Sequence, residues 1–230
     1  MSHPPRTPLR IGVLFEDVQT TDLAGLDILG SLTPKIIDTM SSILPSMLPL
    51  RPLAVPMSFL YISSSLALAP TTPAMQVQPT HTYANAPRDL DILFIGGPDP
   101  TNISEESLAF VREASKRTKV VMTTCTGALW LARAGVLDGK RATTNRVMLG
   151  PAGAMMPRVE WVDRRWVVEE GLFEGAQLWT SGGAGCGIDM VIEYMLQNFD
   201  RKMVELACDG LAFEVEGRSQ FYKKPLVSLA

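Results

Sequence analysis

Lys119-Val120-Val121-Met122-Thr123-Thr124-Cys125-Thr126-Gly127-Ala128-Leu129-Trp130-Leu131-Ala132-Arg133-Ala134-Gly135 holds two apolar runs around a short polar break. The first, Lys119 to Thr124, is short and rich in β-branched residues, which predicts a buried strand. The chain breaks at Cys125-Thr126-Gly127 and resumes as an apolar helix from Ala128 to Ala134, which Gly135 ends. A strand running straight into a helix is the unit from which parallel sheets are built.

The same unit recurs outward in both directions. Upstream, Leu90-Asp91-Ile92-Leu93-Phe94-Ile95 reads as a buried strand stopped by Gly96-Gly97-Pro98. Ser104 then opens a helix to about Arg117, with Glu105 and Glu106 in its first turn, where negative charge suits the helix dipole. Further upstream, Leu9 to Phe15 is a strand. Asp22 follows it as N-cap of a helix whose apolar spacing runs to Leu29. Met57 to Ile62 is another strand, and Gln76 to Tyr83 alternates weakly as a short β arm. Downstream, Arg141 to Thr144 is short and strand-like, and Trp161-Val162 pairs with Trp166-Val167-Val168 as a hairpin around Asp163-Arg164-Arg165. Leu178 to Ser181 leads through Gly182-Gly183-Ala184-Gly185-Cys186-Gly187 into a helix from Ile188 to about Phe199. A last helix spans Arg201 to Phe213. Alternating strands and helices in this order predict an α/β domain with a mainly parallel sheet. The expected organisation is a flexible tail at 1–8, one domain at 9–215 and a C-terminal tail at 216–230.

Composition excludes several classes of function. The chain has 230 residues, 46% hydrophobic and 20% charged, enough to bury a substantial core. A net charge of −3 gives no basic field for nucleic acid or an anionic membrane. Three scattered cysteines, Cys125, Cys186 and Cys208, do not make a disulfide scaffold or a four-cysteine zinc site, so a reducing, cytoplasmic setting is expected. Only two histidines are present, His3 and His81, which argues against a multi-histidine metal centre and leaves His81 as the sole histidine for a triad. The N-terminus lacks a basic patch followed by an apolar run, so no secretory signal is expected. Pro52 to Gln78 carries no charge, but its prolines and Ser63-Ser64-Ser65 break it up, and a strand followed by loops is predicted rather than a membrane span.

Cys125 sits where a nucleophile would be presented, on a sharp turn between strand and helix. The following helix N-terminus and its free N–H groups favour a thiolate there. That position favours a functional role over the commoner fate of a buried apolar cysteine. Asp22 is the acidic candidate at the same sheet edge, with a plain helix cap as its alternative reading. Gly96 and Gly97 offer backbone donors at that edge, where α/β sites gather, with a plain turn as the alternative. The glycine run at 182–187 lies too late in the chain for a dinucleotide loop and lacks a following ribose-binding acid. Tight packing of a helix on the sheet explains it better. Cys186, Cys208 and Trp130 are read as structural. Met148, Met155 and Met156 are placed to line a pocket.

Together, Ile92 to Pro98, Thr124-Cys125-Thr126-Gly127, Arg141-Ala142-Thr143-Thr144 and Thr180 to Asp189 resemble the ThiJ/PfpI superfamily, over about Leu9 to Phe213. Thr126 after the cysteine and Asp22-Leu23-Ala24-Gly25 after the first strand look most like the isonitrile (isocyanide) hydratase branch. The resemblance implies a three-layer sandwich with the class I glutamine amidotransferase-like (flavodoxin-like) fold. It further implies a homodimer acting on a small molecule without metal or other cofactor. Carried over, Cys125 is the nucleophile, Asp22 its acidic partner and Thr126 a contributor beside the thiolate. Gly96 and Gly97 support the oxyanion or substrate pocket, and Asn145 lies in the same pocket. The implied reaction adds water to an isocyanide through a thioimidate to give an N-substituted formamide. One departure is marked: where the hydratases carry His after Ala-Thr-Thr, this chain has Asn145, which hydrogen-bonds but cannot act as a base. The alternatives are a glyoxalase- or deglycase-like enzyme, a tailoring enzyme on a reactive carbonyl, and a non-enzymatic cysteine redox sensor.

Overall fold

Side chains of Ile92-Leu93-Phe94-Ile95 alternate between two separate apolar cores, Ile92 and Phe94 in one, Leu93 and Ile95 in the other. Such period-2 alternation with both faces buried is what a central strand covered by helices on each side requires. The computed structural model describes residues 7–226. In chain order, β1 (Leu9–Leu14) passes through a short 3-10 turn (Thr20–Leu23) into α1 (Gly25–Gly30) and α2 (Pro34–Ile43). After a 3-10 segment (Pro45–Leu53) come β2 (Met57–Ser63), β3 (Ala69–Thr71), β4 (Met75–Val77) and β5 (His81–Thr82). Next are β6 (Ile92–Ile95), α3 (Glu105–Ala114), β7 (Val120–Thr123), α4 (Gly127–Arg133) and β8 (Arg141–Ala142). The remainder is α5 (Leu149–Met155), β9 (Glu160–Trp161), β10 (Trp166–Glu170), β11 (Gln177–Ser181), α6 (Ala184–Asn198) and α7 (Arg201–Gly210).

Seven strands form one sheet in the order β10-β11-β7-β6-β1-β2-β5. Only β10 runs antiparallel. Helices α1, α2, α6 and α7 contribute to the core on one face, and α3 and α4 to the core on the other. The fold is thus the three-layer α/β sandwich with a mainly parallel sheet that the sequence predicts. Its connectivity reverses at β1, which lies between β2 and β6, so the loops after β1 and β6 diverge and leave a crevice at the carboxyl ends of the strands. Trp130 is core, as expected, with its indole N–H donating to Ser107 Oγ at 3.0 Å.

Several local expectations are corrected. Trp161-Val162 does not pair with Trp166–Val168. Glu160–Trp161 instead runs parallel to Arg141–Ala142, and β10 turns back onto β11 through Gly171–Gly175. Gly175, at φ 81°, makes that turn tight, and the pairing buries Trp166 and Trp179 in one core. The weak arm at 76–83 divides: Met75–Val77 hairpins with β3, while His81–Thr82 becomes an edge strand. Helix α6 starts at Ala184 rather than Ile188, so most of the glycine run is its first turn, and Gly187 packs directly on the Thr124 side chain, where a Cβ has no room. Asp22 caps no helix: α1 begins after Ala24, and its N-cap makes no side-chain hydrogen bond. Residues 52–78 are the end of the 3-10 segment, a strand, a hairpin and connecting loop. Among the described residues, no helix is long and apolar enough to cross a membrane. His3 and most of the 1–8 tail lie outside the described residues.

Candidate active site

Cys125 adopts φ 57°, a left-handed conformation that costs a non-glycine residue about 1 kcal/mol. Two neighbours hold it there: its N–H donates to Gly182 O at 2.5 Å, and its carbonyl accepts from Thr144 Oγ1 at 2.9 Å. The elbow is closed from below by Gly127, whose missing Cβ lets α4 start against the carbonyl oxygens of Ile95 and Gly96. In this way β6, β7, β11 and the Thr143-Thr144 segment together fix one side chain above the sheet edge.

Asp22 reaches the same point from the turn after β1. Its Oδ2 accepts the Gly97 N–H at 3.0 Å, and its Oδ1 is buried with no protein partner. The hydrogen on Gly97 Cα marks the meeting place. A Cβ there would lie 2.5 Å from Asp22 Oδ2, 2.9 Å from Thr126 Oγ1 and 3.0 Å from Cys125 Cβ. Gly97 therefore spends its N–H on the carboxylate rather than on an oxyanion. Gly96 packs against Val18 and Leu23, where any side chain would collide.

On the other side of the thiol, Asn145 Nδ2 donates to Cys125 Sγ at 3.1 Å. The Asn145 Oδ1 accepts the Val147 N–H at 3.1 Å, so one side chain both caps its turn and addresses the sulfur. Thr126 donates its hydroxyl to Pro98 O at 2.8 Å, which leaves only its backbone N–H directed toward the thiol.

Electrostatics follow from burial. Desolvation pushes the Asp22 carboxyl up to about 6, with the Gly97 N–H and the Cys125 thiol opposing the rise. The Cys125 thiol is also raised, first by burial and then by the Asp22 charge, while Asn145 and the Thr126 N–H pull it down. Burial is thus the first influence on the thiol and acts against the thiolate expected from the helix end, α4 being only seven residues long. Both shifts favour the neutral forms, and at neutral pH they favour the thiol on Cys125 beside a mostly ionised Asp22.

His81 takes no part. It sits on β5, four strands from β7, roughly 19 Å across the sheet at the usual strand spacing. Met155 and Met156, but not Met148, line a cavity of about 410 Å³ with Pro100 and Leu129, and Cys125 is not in its wall. Cys186 and Cys208 are buried and unpaired, as their structural reading expects. Two contributions were not read from the sequence. The Gly182 carbonyl clamp is a backbone contact that depends on strand register. The packing of residues 218–224 against the sheet edge has no periodic pattern to announce it.

Fold and geometry together define a class: an α/β protein presenting a cysteine on a strained elbow opposite a buried carboxylate. Residues 58–197 match the DJ-1/PfpI family. The chain belongs to that family. It is 32% identical over 192 residues to an isonitrile hydratase of Pseudomonas putida, covering 80% of this chain and 69% of that one. A helix-turn-helix transcriptional regulator of Pseudomonas aeruginosa, GbdR, is 25% identical over 141 residues, 61% of this chain but 37% of the regulator. Among solved structures, a ThiJ/PfpI family protein from Pseudomonas syringae aligns at TM-score 0.71 and 21% identity, over 94% of this chain and 78% of that one.

Proposed function

We propose that the protein is an isonitrile hydratase-like lyase, with Cys125 as nucleophile and Asp22 as its proton carrier. The observation that carries this reading is the pairing around Gly97 of a protonated thiol with a carboxylate of near-neutral proton affinity. General acid–base work is most efficient when the group's pKa lies close to the working pH. In the first step the S–H proton passes to Asp22, sulfur bonds to the terminal isocyanide carbon, and Asp22 returns that proton to the same carbon. The product is the thioimidate Cys–S–CH=N–R. Water then adds to this carbon as Asp22 takes one proton from the water and passes it to the nitrogen, giving Cys–S–CH(OH)–NH–R. The C–S bond breaks as the C=O bond forms, the hydroxyl proton passes through Asp22 to sulfur, and an N-substituted formamide leaves. Asn145 Nδ2 and the Thr126 N–H steady negative charge on sulfur, and Thr126 Oγ1 anchors the loop that carries Gly97.

The competing readings fit these residues less well. A glyoxalase- or deglycase-like enzyme, or a carbonyl-tailoring one, would have to manage without a histidine at the thiol, where Asn145 stands instead. A peroxide sensor depends on thiolate character, and this thiol is held protonated and buried. A cytoplasmic homodimer belongs to the same proposal. Three unpaired buried cysteines suit a reducing compartment, and Ile43 and Leu48 expose 71% and 61% of their surface on one apolar stretch that suits a second copy.

The test is a side-by-side assay of an alkyl isocyanide and methylglyoxal, with Cys125→Ala as control. Formamide from wild type and none from Cys125→Ala is the expected result. Turnover of methylglyoxal alone, or formamide production that survives the substitution, would overturn the proposal.

A further inference from the structure

Residues 218–224 lie outside every helix and strand, yet they end at the nucleophile through an unbroken row of backbone hydrogen bonds. The Arg165 N–H donates to Gln220 O at 2.8 Å, the Gly182 N–H to Arg165 O at 2.9 Å, and the Cys125 N–H to Gly182 O at 2.5 Å. The segment thus extends the sheet edge by one row, on the line that holds Cys125 in its left-handed conformation. Its side chains converge as well. The Tyr222 ring stacks under the Arg146 guanidinium at 4.0 Å, and the Tyr222 hydroxyl lies 3.5 Å from Cys186 Sγ and against Gly182 Cα.

Arg146 is the residue after Asn145, the donor to the thiol. Three partners fix it: Asp163 through two bonds of 2.7 Å, the Lys224 carbonyl at 2.9 Å, and the Tyr222 ring. With Arg146 fixed, the turn capped by Asn145 has one orientation, and its amide points at sulfur. The geometry points to Tyr222 as a positioning residue for Cys125, its ring acting through Arg146 on Asn145. This deepens the proposed function, since it concerns the thiol that reading makes the nucleophile. A cation stacked on an aromatic face is a directional contact that a lysine or alanine would not replace.

Charged groups around this path are Arg146 with Asp163, Arg165 with Asp189, and Arg164 over the Phe221 ring; the charge facing the thiol itself is Asp22. The experiment measures the rate of Cys125 alkylation by iodoacetamide from pH 6 to 10 in the full-length protein, resolved by peptide mass spectrometry. Residue-resolved reading separates Cys125 from Cys186, which Tyr222→Ala uncovers. In Tyr222→Ala, the rate at pH 8 falls about tenfold, as for a lost hydrogen bond to a charged group, and the midpoint moves to higher pH. Asn145→Ala reproduces that shift, and Tyr222→Phe, which keeps the ring on Arg146, stays close to wild type. An unchanged midpoint in Tyr222→Ala, with or without a lower melting temperature, would overturn the proposal, as would Tyr222→Phe behaving like Tyr222→Ala. Because alkylation needs no isocyanide, this result stands or falls separately from the hydration assay.

Discussion

Asp22→Asn should cut formamide production by about a thousandfold, the scale of a lost general acid–base group, and at the same time make the protein more stable. Asparagine fills the same space, and its carbonyl still accepts the Gly97 N–H that Asp22 Oδ2 accepts at 3.0 Å. What it lacks is a proton to give and take. The gain in stability follows from the carboxyl's proton affinity, raised by burial from 3.8 to about 6. Between those values the native state binds more protons than the unfolded chain, so stability declines as pH rises through the window. Above about pH 6 the protein carries the full cost of a buried charge, about 3 kcal/mol, which the amide removes. Melting curves at pH 8 should place Asp22→Asn above wild type, with the gap closing near pH 4. A variant less stable than wild type at pH 8 would show that the charge is stabilised by contacts the burial account omits.

Gly127→Ala should cost about 3 kcal/mol and lower the melting temperature by about 8 °C, close to the limit for a single methyl group. Its Cβ would meet the Ile95 carbonyl oxygen and lie 2.7 Å from that of Gly96, and neither backbone can rotate away as a side chain could. Since α4 begins at this residue, relief of the clash has to move the elbow that carries Cys125, so activity falls with stability. Gly153→Ala in α5 is the control, because its Cβ meets nothing within 4 Å. There the helix propensity of alanine should leave stability unchanged or raise it by about 0.5–1 kcal/mol. Equal melting temperatures for the two variants would remove close backbone approach as the reason for glycine at 127.

Fold and site differ in how far the sequence reveals them. Val120–Thr123, Ile92–Ile95 and Gln177–Ser181 were readable because buried parallel strands are short, apolar and stopped by glycine or a polar break. The strand pairing of Trp161 and Trp166 was not, because both flank a charged triplet that looks like a turn. The longer glycine-closed turn at 171–175 makes the pairing actually formed. At the site, Cys125 and Asp22 stood out through residue type and position after a strand, and Asn145 only as the departure from the family pattern the chain resembles. Their mutual distances, the Gly97 N–H held by carboxylate, and the raised thiol are products of packing, which a linear pattern does not record. Asp22 illustrates the difference. Its place before a helix left a cap and a site carboxylate as equal readings, and the structure puts it on the Gly97 N–H beside the thiol with no helix to cap.

The sparse histidine content takes on meaning in this geometry. With Asn145 at the sulfur and His81 at the far edge of the sheet, the carboxylate beside Cys125 is Asp22, and the proposed reaction assigns it the proton transfers. The most direct measurement of that arrangement is intact-protein and peptide mass spectrometry during turnover of an alkyl isocyanide, quenched in acid within the first turnover. Wild type is expected to carry the mass of one isocyanide on Cys125, and none on Cys186 or Cys208, before formamide appears. Formamide accumulating while Cys125 stays unmodified throughout would contradict addition of the thiol to the isocyanide carbon.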